Sequence, residues 1–234
     1  MDQKQLVGLK AAEQVKNGMI VGLGTGSTAT FFIRELGRRI KEEGLAIQGV
    51  SSSFACSLLA RTEGIPLLPT DQVDHIDLYV DGADEVSPEK GLIKGRGAAM
   101  VGEKLLAETC DVFIVIVDEG KLVDRLGKKF PVPVEVMPAA WRLVQKGIVA
   151  LGGAPTLRLA SGGKDGPVVS DNGNLILDVT FPTLASNTSM GPDWSALDAA
   201  FDSLPGVVGH GLFLRYAKKS TVMIGTPQGV RYLP

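Results

Sequence analysis

Ile76-Asp77-Leu78-Tyr79-Val80-Asp81-Gly82-Ala83-Asp84-Glu85 is the stretch that decides the fold. Residues 76–80 form a short apolar run that reads as a buried strand, and the chain then breaks into an acidic turn containing glycine. In open α/β sheets ligands sit just beyond the carboxyl ends of such strands, so the turn is expected to face a pocket. Working outward, residues 19–23, 45–50 and 112–117 are strand-like, and residues 28–40, 54–61 and 98–109 are helix-like. Strand and helix thus alternate through the first half of the chain. That order predicts the α/β class, with a doubly wound, mostly parallel, Rossmann-like sheet.

After Gly127 the texture changes. Pro131 and Pro133 bracket short apolar runs, and strand-like pieces follow at 156–159, 168–170 and 175–179. Asp171-Asn172-Gly173-Asn174 joins the last two as a hairpin turn, because Asn and Gly tolerate the left-handed backbone such turns require. The expected organisation is a main α/β domain of residues 1–129 and 206–234 that holds the active site. A smaller α+β subdomain at 130–205 is inserted into it and can supply an oligomer contact. The chain is expected to rejoin the main sheet through 207–214 and 222–225.

With 234 residues, 44% hydrophobic and 21% charged, the composition is that of an ordinary soluble globular protein. A formal net charge of −2 supplies no basic footprint for nucleic acid, so small molecules are the expected partners. Asp2, Lys4, Lys10, Glu13 and Lys16 interrupt any apolar signal core near the N-terminus, and no run is long enough to span a bilayer. Cys56 and Cys110 have no metal-ligand spacing. A reducing, cytoplasmic location with no membrane partner follows.

Gly22-Leu23-Gly24-Thr25-Gly26-Ser27-Thr28 follows the first strand and opens a helix, so backbone amides and hydroxyls can converge there on a phosphate. It lacks the lysine of a Walker loop and the spacing of a dinucleotide fingerprint. A plain capped turn remains the alternative. Ser51-Ser52-Ser53 can hold sugar hydroxyls or cap the next helix, and capping is favoured from this segment alone. Asp81, Asp84 and Glu85 can form an acidic turn or a magnesium site, but binding of hydroxyls suits their spacing better. Lys94-Gly95-Arg96-Gly97 brings an ammonium and accessible amides to the same region. In a helix over 98–109, Glu103 shares a face with Ala99, Met100, Leu106 and Ala107. A carboxylate losing hydration on an apolar face becomes a better base near neutral pH, the alternative being a surface glutamate paired with lysine. Lys4 and Lys121 can complete a phosphate site or be solvated lysines. His75 and His210 are the only histidines, and His75, just ahead of a buried strand, has no obvious catalytic companion, so a carboxylate base is favoured over histidine chemistry; no serine-hydrolase elbow is present.

Taken in order, Gly24-Thr25-Gly26-Ser27-Thr28, Ser51-Ser52-Ser53, Asp81-Gly82-Ala83-Asp84-Glu85, Lys94-Gly95-Arg96-Gly97-Ala98-Ala99 and Glu103-Lys104 resemble type A ribose-5-phosphate isomerase. Pro133-Val134-Glu135-Val136, Asp171-Asn172-Gly173-Asn174 and Gly225-Thr226-Pro227 extend the resemblance over nearly the whole chain. The resemblance implies interconversion of ribose 5-phosphate and ribulose 5-phosphate in the pentose phosphate pathway, without metal or organic cofactor, by a homodimer or homotetramer. Carried over position by position, it makes Glu103 the proton acceptor and gives Asp81, Asp84 and Lys94 catalytic roles. Thr25, Gly26, Ser27, Thr28, Gly82, Ala83, Gly95, Arg96, Gly97, Lys121 and Lys4 then contact the phosphorylated pentose, as do Asp81, Asp84 and Lys94.

Two related activities compete with this reading: a sugar-phosphate sensor, which calls for a DNA-binding module that no basic recognition helix supplies, and an amino-sugar-phosphate deaminase. Two positions depart from the family pattern. Arg96 replaces the middle glycine of a Lys-Gly-Gly-Gly turn, and Gly102 stands where an arginine usually precedes the catalytic glutamate. Arg96 is therefore expected to have a negative φ and to point its guanidinium out of the pocket.

Overall fold

The computed structural model describes residues 2–182 and 192–234. In chain order its main elements begin with α1 (Gln3–Ala12), β1 (Ile20–Leu23), α2 (Ser27–Glu43), β2 (Gln48–Ser51), α3 (Phe54–Thr62) and β3 (Ile76–Asp81). There follow β4 (Glu85–Val86), β5 (Leu92–Ile93), α4 (Met100–Thr109), β6 (Cys110–Asp118), β7 (Val132–Val136), α5 (Trp141–Ala150), β8 (Ala154–Leu157) and β9 (Leu175–Thr180). The chain ends with α6 (Trp194–Ser203), β10 (Val207–His210), β11 (Leu212–Phe213), β12 (Ser220–Thr226) and β13 (Gly229–Tyr232).

These elements form two units. The first takes the residues up to Ala83 together with Gly102–Leu122 and Arg215–Pro234. Its sheet has the order β13-β12-β6-β3-β1-β2, parallel throughout except for the β12–β13 hairpin. This is the doubly wound, mostly parallel sheet expected from the alternation of the sequence. Helices can cover both faces of such a sheet, so its strands tolerate uninterrupted apolar runs, and β6 buries Phe113, Ile114, Val115, Ile116 and Val117 in succession. Helix α2 starts after Gly26 and stops at Gly44, whose left-handed φ of 70° lets its amide close on the Arg39 carbonyl. It buries Phe32, Ile33 and Leu36 against Val21, Leu23, Val80 and Val7 of α1. Each such large apolar side chain contributes roughly 1.5–3 kcal/mol when taken out of water. On the opposite face Arg38 bonds Glu35, Glu42 and Glu43, and exposed pairs of this kind contribute little.

The second unit comprises the described residues of Asp84–Val101 and Val123–Leu214. An antiparallel sheet of order β10-β7-β9-β8 is accompanied by the short sheet β11-β5-β4. The central strand β7 is buried at every residue, and with Leu177, Val179, Val144, Ile148 and Phe201 it forms the core. The α+β character expected after Gly127 is present. Residues 207–214 depart from expectation: β10 pairs with β7 and β11 with β5, so only β12 joins the parallel sheet. The pairing of β11 with β5 also brings residues 84–101 into this unit, a segment the sequence reading kept with the main domain. Of the 130–205 segment, residues 183–191 lie outside the described residues.

The turn at Asp171-Asn172-Gly173-Asn174 forms as expected, with Gly173 at φ 79°. Its asparagines have a second job. Fully buried Glu135 accepts at Oε1 from Asn172 Nδ2 at 3.0 Å, Asn174 Nδ2 at 2.9 Å and Ser170 Oγ at 2.7 Å, so the turn also supplies donors to one oxygen of a carboxylate in the central strand.

Candidate active site

In the first unit the loop after β1 is tied to both neighbouring strand ends. Gly24 N donates to Val80 O at 2.9 Å, and Thr25 N donates to Asp81 Oδ1 at 3.0 Å. The Thr25 hydroxyl lies 2.9 Å and 2.6 Å from those of Ser52 and Ser53. Ser53 also accepts from Cys56 N at 3.1 Å, so it caps α3, as favoured, while helping to place Thr25. Asp81 is fully buried and further accepts from Gly82 N at 2.7 Å and from the Tyr79 hydroxyl. Three donors, Thr25 N, Gly82 N and the Tyr79 hydroxyl, thus converge on this carboxylate.

Tyr79 stacks on Phe113 with ring centroids 4.9 Å apart. Burial above all, then the charges of Asp81 and Glu103, hold its phenol well above the usual range, so it remains a hydrogen-bond donor. Burial first and Asp81 second push the Cys56 thiol up to about 12, which removes it as a nucleophile.

Gly26 carries φ 109° and no side chain caps the first amides of α2. Lys4 Nζ donates to Ser27 Oγ at 3.1 Å, which brings an ammonium to that helix end. Uncapped amides, the Ser27 hydroxyl and a cation are groups that can receive an anion. Lys121 closes the short helical turn Glu119–Lys121 after β6. Because β1, β3 and β6 run parallel, Lys121 follows the same carboxyl edge as Gly24-Thr25-Gly26 and Asp81.

Glu103 lies in the first turn of α4 and is only 4% exposed, on the face that buries Met100, Leu106 and Ala107. The helical spacing foretold this face, and the surface-glutamate alternative is excluded by the burial. The structure also accounts for Gly102. A Cβ there would overlap the Ser52 carbonyl oxygen and sit 3.1 Å from its carbon, so α4 approaches the segment after β2 too closely for any side chain. An arginine at this position would require α4 to withdraw.

In the second unit Asp84 N donates to Ile93 O at 2.8 Å, and Asp84 Oδ2 accepts from Arg96 N at 3.0 Å. Lys94 is 2% exposed, its amide donating to Gly211 O at 2.9 Å and its ammonium lying 5.5 Å from the Phe213 ring centroid. Glu85 requires a correction. It is fully buried and accepts from Gly127 N at 2.6 Å, Lys129 N at 2.5 Å and Phe130 N at 2.7 Å, so it anchors a loop and offers nothing to hydroxyls or a metal. Among the described residues no group of three or more His, Cys, Asp or Glu is placed to hold a metal ion.

The positive φ values of the Lys94-Gly95-Arg96-Gly97-Ala98 turn fall at Gly95 (99°) and Ala98 (59°), which leaves Arg96 in backbone space open to any side chain. Its guanidinium is placed by an aromatic neighbour. It lies over Phe130, 5.2 Å from the ring centroid, and lines a cleft of about 320 Å³ with Asp84, Pro133, Arg158 and Asp178. Arg96→Gly is expected to keep kcat within about threefold, because Gly95 and Ala98 set the turn. Added unfolded-state freedom of roughly 0.4–1 kcal/mol and the lost cation–π contact of roughly 0.5–1 kcal/mol should lower Tm by a few degrees. Steady-state kinetics and thermal unfolding check this, and a tenfold fall in kcat would give Arg96 a part in turnover.

Arg158 gave no signal in the sequence, since its partners Asp178, Gly95 and Arg96 lie far along the chain. His210 is fully buried, with Nε2 3.0 Å from Asp202 and Nδ1 accepting from Leu212 N at 3.3 Å.

The model of ribose 5-phosphate isomerase A (phosphoriboisomerase A) matches residues 48–229. A ribose-5-phosphate isomerase A of Methanothermobacter thermautotrophicus is 45% identical over 234 residues, covering 100% of this chain and 98% of its own. The solved structure of ribose 5-phosphate isomerase A from Methanocaldococcus jannaschii superposes with a TM-score of 0.90 at 43% identity, covering 99% of this chain and 97% of that one. A D-ribose-5-phosphate isomerase solved in complex with phospho-erythronic acid gives a TM-score of 0.90 at 40% identity, with 99% of each chain covered. The likeness therefore spans both units and every motif quoted above, and the chain belongs to the ribose 5-phosphate isomerase A family.

Proposed function

We infer that this protein is an aldose–ketose isomerase that interconverts D-ribose 5-phosphate and D-ribulose 5-phosphate in the pentose phosphate pathway. The observation that carries the chemistry is a carboxylate, Glu103, buried on the apolar face of α4 and close enough for its charge to act on Tyr79 alongside that of Asp81. In the proposed course the opened aldose loses its C2 proton to Glu103, the electron pair forms the C1–C2 double bond, and the C1 carbonyl oxygen takes up negative charge. Glu103 returns the proton to C1, and transfer of a proton between the two oxygens leaves the ketone at C2.

Lys94 and the amides of Gly95 and Gly97 would offset the charge on the enediolate oxygens, the Arg96 amide being taken by Asp84. Asp81 and Asp84 would assist ring opening and move hydroxyl protons. Lys4, Thr25, Gly26, Ser27 and Thr28, with Lys121, would hold the phosphate, and that remote grip orients C1 and C2 against the base. The phospho-erythronic acid in the related structure, itself a phosphorylated sugar acid, supports such a phosphosugar pocket.

A homodimer or homotetramer is proposed on the family resemblance, supported by exposed Leu143, Val149, Leu159 and Val169 of the second unit. A cytoplasmic location suits the two buried thiols. No helix among the described residues is long and apolar enough to cross a membrane.

The test is a coupled assay of the purified protein with ribose 5-phosphate, with and without a chelator. Ribulose 5-phosphate formation that survives chelation is expected. Absence of turnover under both conditions would reject the function, and turnover abolished by chelation would reject a metal-free mechanism.

A further inference from the structure

We propose that Arg158, anchored by Asp178, is a positioning residue for this reaction, fixing the Lys94-Gly95-Arg96-Gly97 turn in the shape that aims its amides. The proposal rests on the isomerase reading above. Arg158 follows β8, and Asp178 lies in the adjacent strand β9. Arg158 Nε donates to Asp178 Oδ2 at 2.8 Å and Nη2 donates to Oδ1 at 2.5 Å, a two-point grip between side chains only 15% and 24% exposed. The remaining edge of the guanidinium faces the turn, where Nη1 donates to Gly95 O at 3.1 Å and Arg96 O at 2.9 Å. A guanidinium is planar and rigid, so holding one edge on Asp178 determines where the other edge points.

Two successive carbonyls held this way determine two amides. In a planar trans peptide the C=O and N–H point in opposite directions. With Gly95 O turned toward Arg158, the Arg96 N–H is turned the other way and meets Asp84 Oδ2 at 3.0 Å. With Arg96 O turned toward Arg158, the Gly97 N–H is likewise directed away from the guanidinium, as an oxyanion donor needs to be.

The turn needs such a hold. Gly95 at φ 99° and Ala98 at φ 59° are both left-handed, and for alanine that conformation persists only where the surroundings over-determine it. Local bonding supplies Ala98 N to Gly95 O at 3.0 Å and the Asp84 contact, and Arg158 supplies the rest. A positioning role of this kind acts on the chemical step more than on capture of the phosphate.

Arg158→Gln, Arg158→Lys and Asp178→Asn test it, with kinetics in parallel with hydrogen exchange at individual amides of the full-length protein. In Arg158→Gln the Arg96 and Gly97 amides should exchange at least about tenfold faster, while the amides of β1 and β3 stay as in the wild type. kcat should fall roughly 10- to 100-fold, less than the 10²–10³ that follows outright loss of an oxyanion donor. KM and inhibition by inorganic phosphate should stay within about threefold. Arg158→Lys should resemble Arg158→Gln, because an ammonium cannot hold a carboxylate at two points and two carbonyls at once. Should Arg158→Gln fail to fold, Asp178→Asn carries the same comparison, since it keeps the volume and removes the anchor. Unchanged exchange at these amides, normal kcat in a folded variant, or full rescue by lysine would overturn the proposal. If the wild-type protein does not isomerise ribose 5-phosphate, the isomerase reading fails on its own, and the exchange rates still decide whether Arg158 holds the turn.

Discussion

Glu103→Gln is expected to lower turnover by roughly 10²- to 10⁴-fold while fold and phosphate binding persist, the usual cost of losing a positioned general base. Glutamine keeps the length and shape of the side chain, and at 4% exposure the site neither gains nor loses appreciable volume. Its amide can still fill the space but cannot accept a proton from carbon. Lys4, Ser27 and Thr25, the proposed phosphate end, are untouched, so KM should change far less than kcat. The wild-type enzyme in deuterated water should introduce solvent deuterium at C1 or C2, because a carboxylate that takes the proton can exchange it during the life of the enediolate. Turnover within a few-fold of wild type in Glu103→Gln would remove this residue from the mechanism. Migration of a C2 deuteron intact to C1 in the variant would replace proton transfer by hydride transfer.

What the sequence could reveal followed from local period and local turn chemistry. The burial of Glu103 was legible because Met100, Leu106 and Ala107 recur at helical spacing around it, and an apolar stripe fixes which way a residue on it faces. The loop after β1 was legible because glycines between a strand and a helix mark a tight turn that other residues enter only with strain. Glu85 was misread for the opposite reason: its partners, the amides of Gly127, Lys129 and Phe130, are more than forty residues away, and no local pattern records them. Residues 207–214 show the same limit. Their apolar character announces strands, but the choice between the parallel sheet and β7 depends on partners that periodicity does not name. The neighbour of the Arg96 side chain was not legible either. The Arg96 backbone followed from the chemistry of glycine, whereas the side chain's orientation depends on Phe130, thirty-four positions along.

Gly24→Ala should damage the site broadly. The added Cβ would overlap the Asp81 carboxylate and lie 2.6 Å from its Cα. Neither neighbour can yield cheaply. Asp81 is paired in register with Val115, and its carboxylate is held by Thr25 N, Gly82 N and the Tyr79 hydroxyl. The strain therefore falls on the loop, which must lift away from β3 and weaken the bonds from Gly24 N to Val80 O and from Thr25 N to Asp81. Overpacking of this kind costs roughly 1–3 kcal/mol, and at about 2–4 °C per kcal/mol for a chain of this size Tm should drop by about 2–12 °C. The kinetic loss should be larger. Displacement by about 1 Å can cost 10²-fold, and here it moves a proposed acid–base group and the phosphate loop together. kcat should fall and KM should rise, which distinguishes this variant from Glu103→Gln, where kcat falls alone. Wild-type kinetics at wild-type Tm would mean that the loop slides past Asp81 without penalty, and the convergence of donors on that carboxylate would then carry no weight in catalysis.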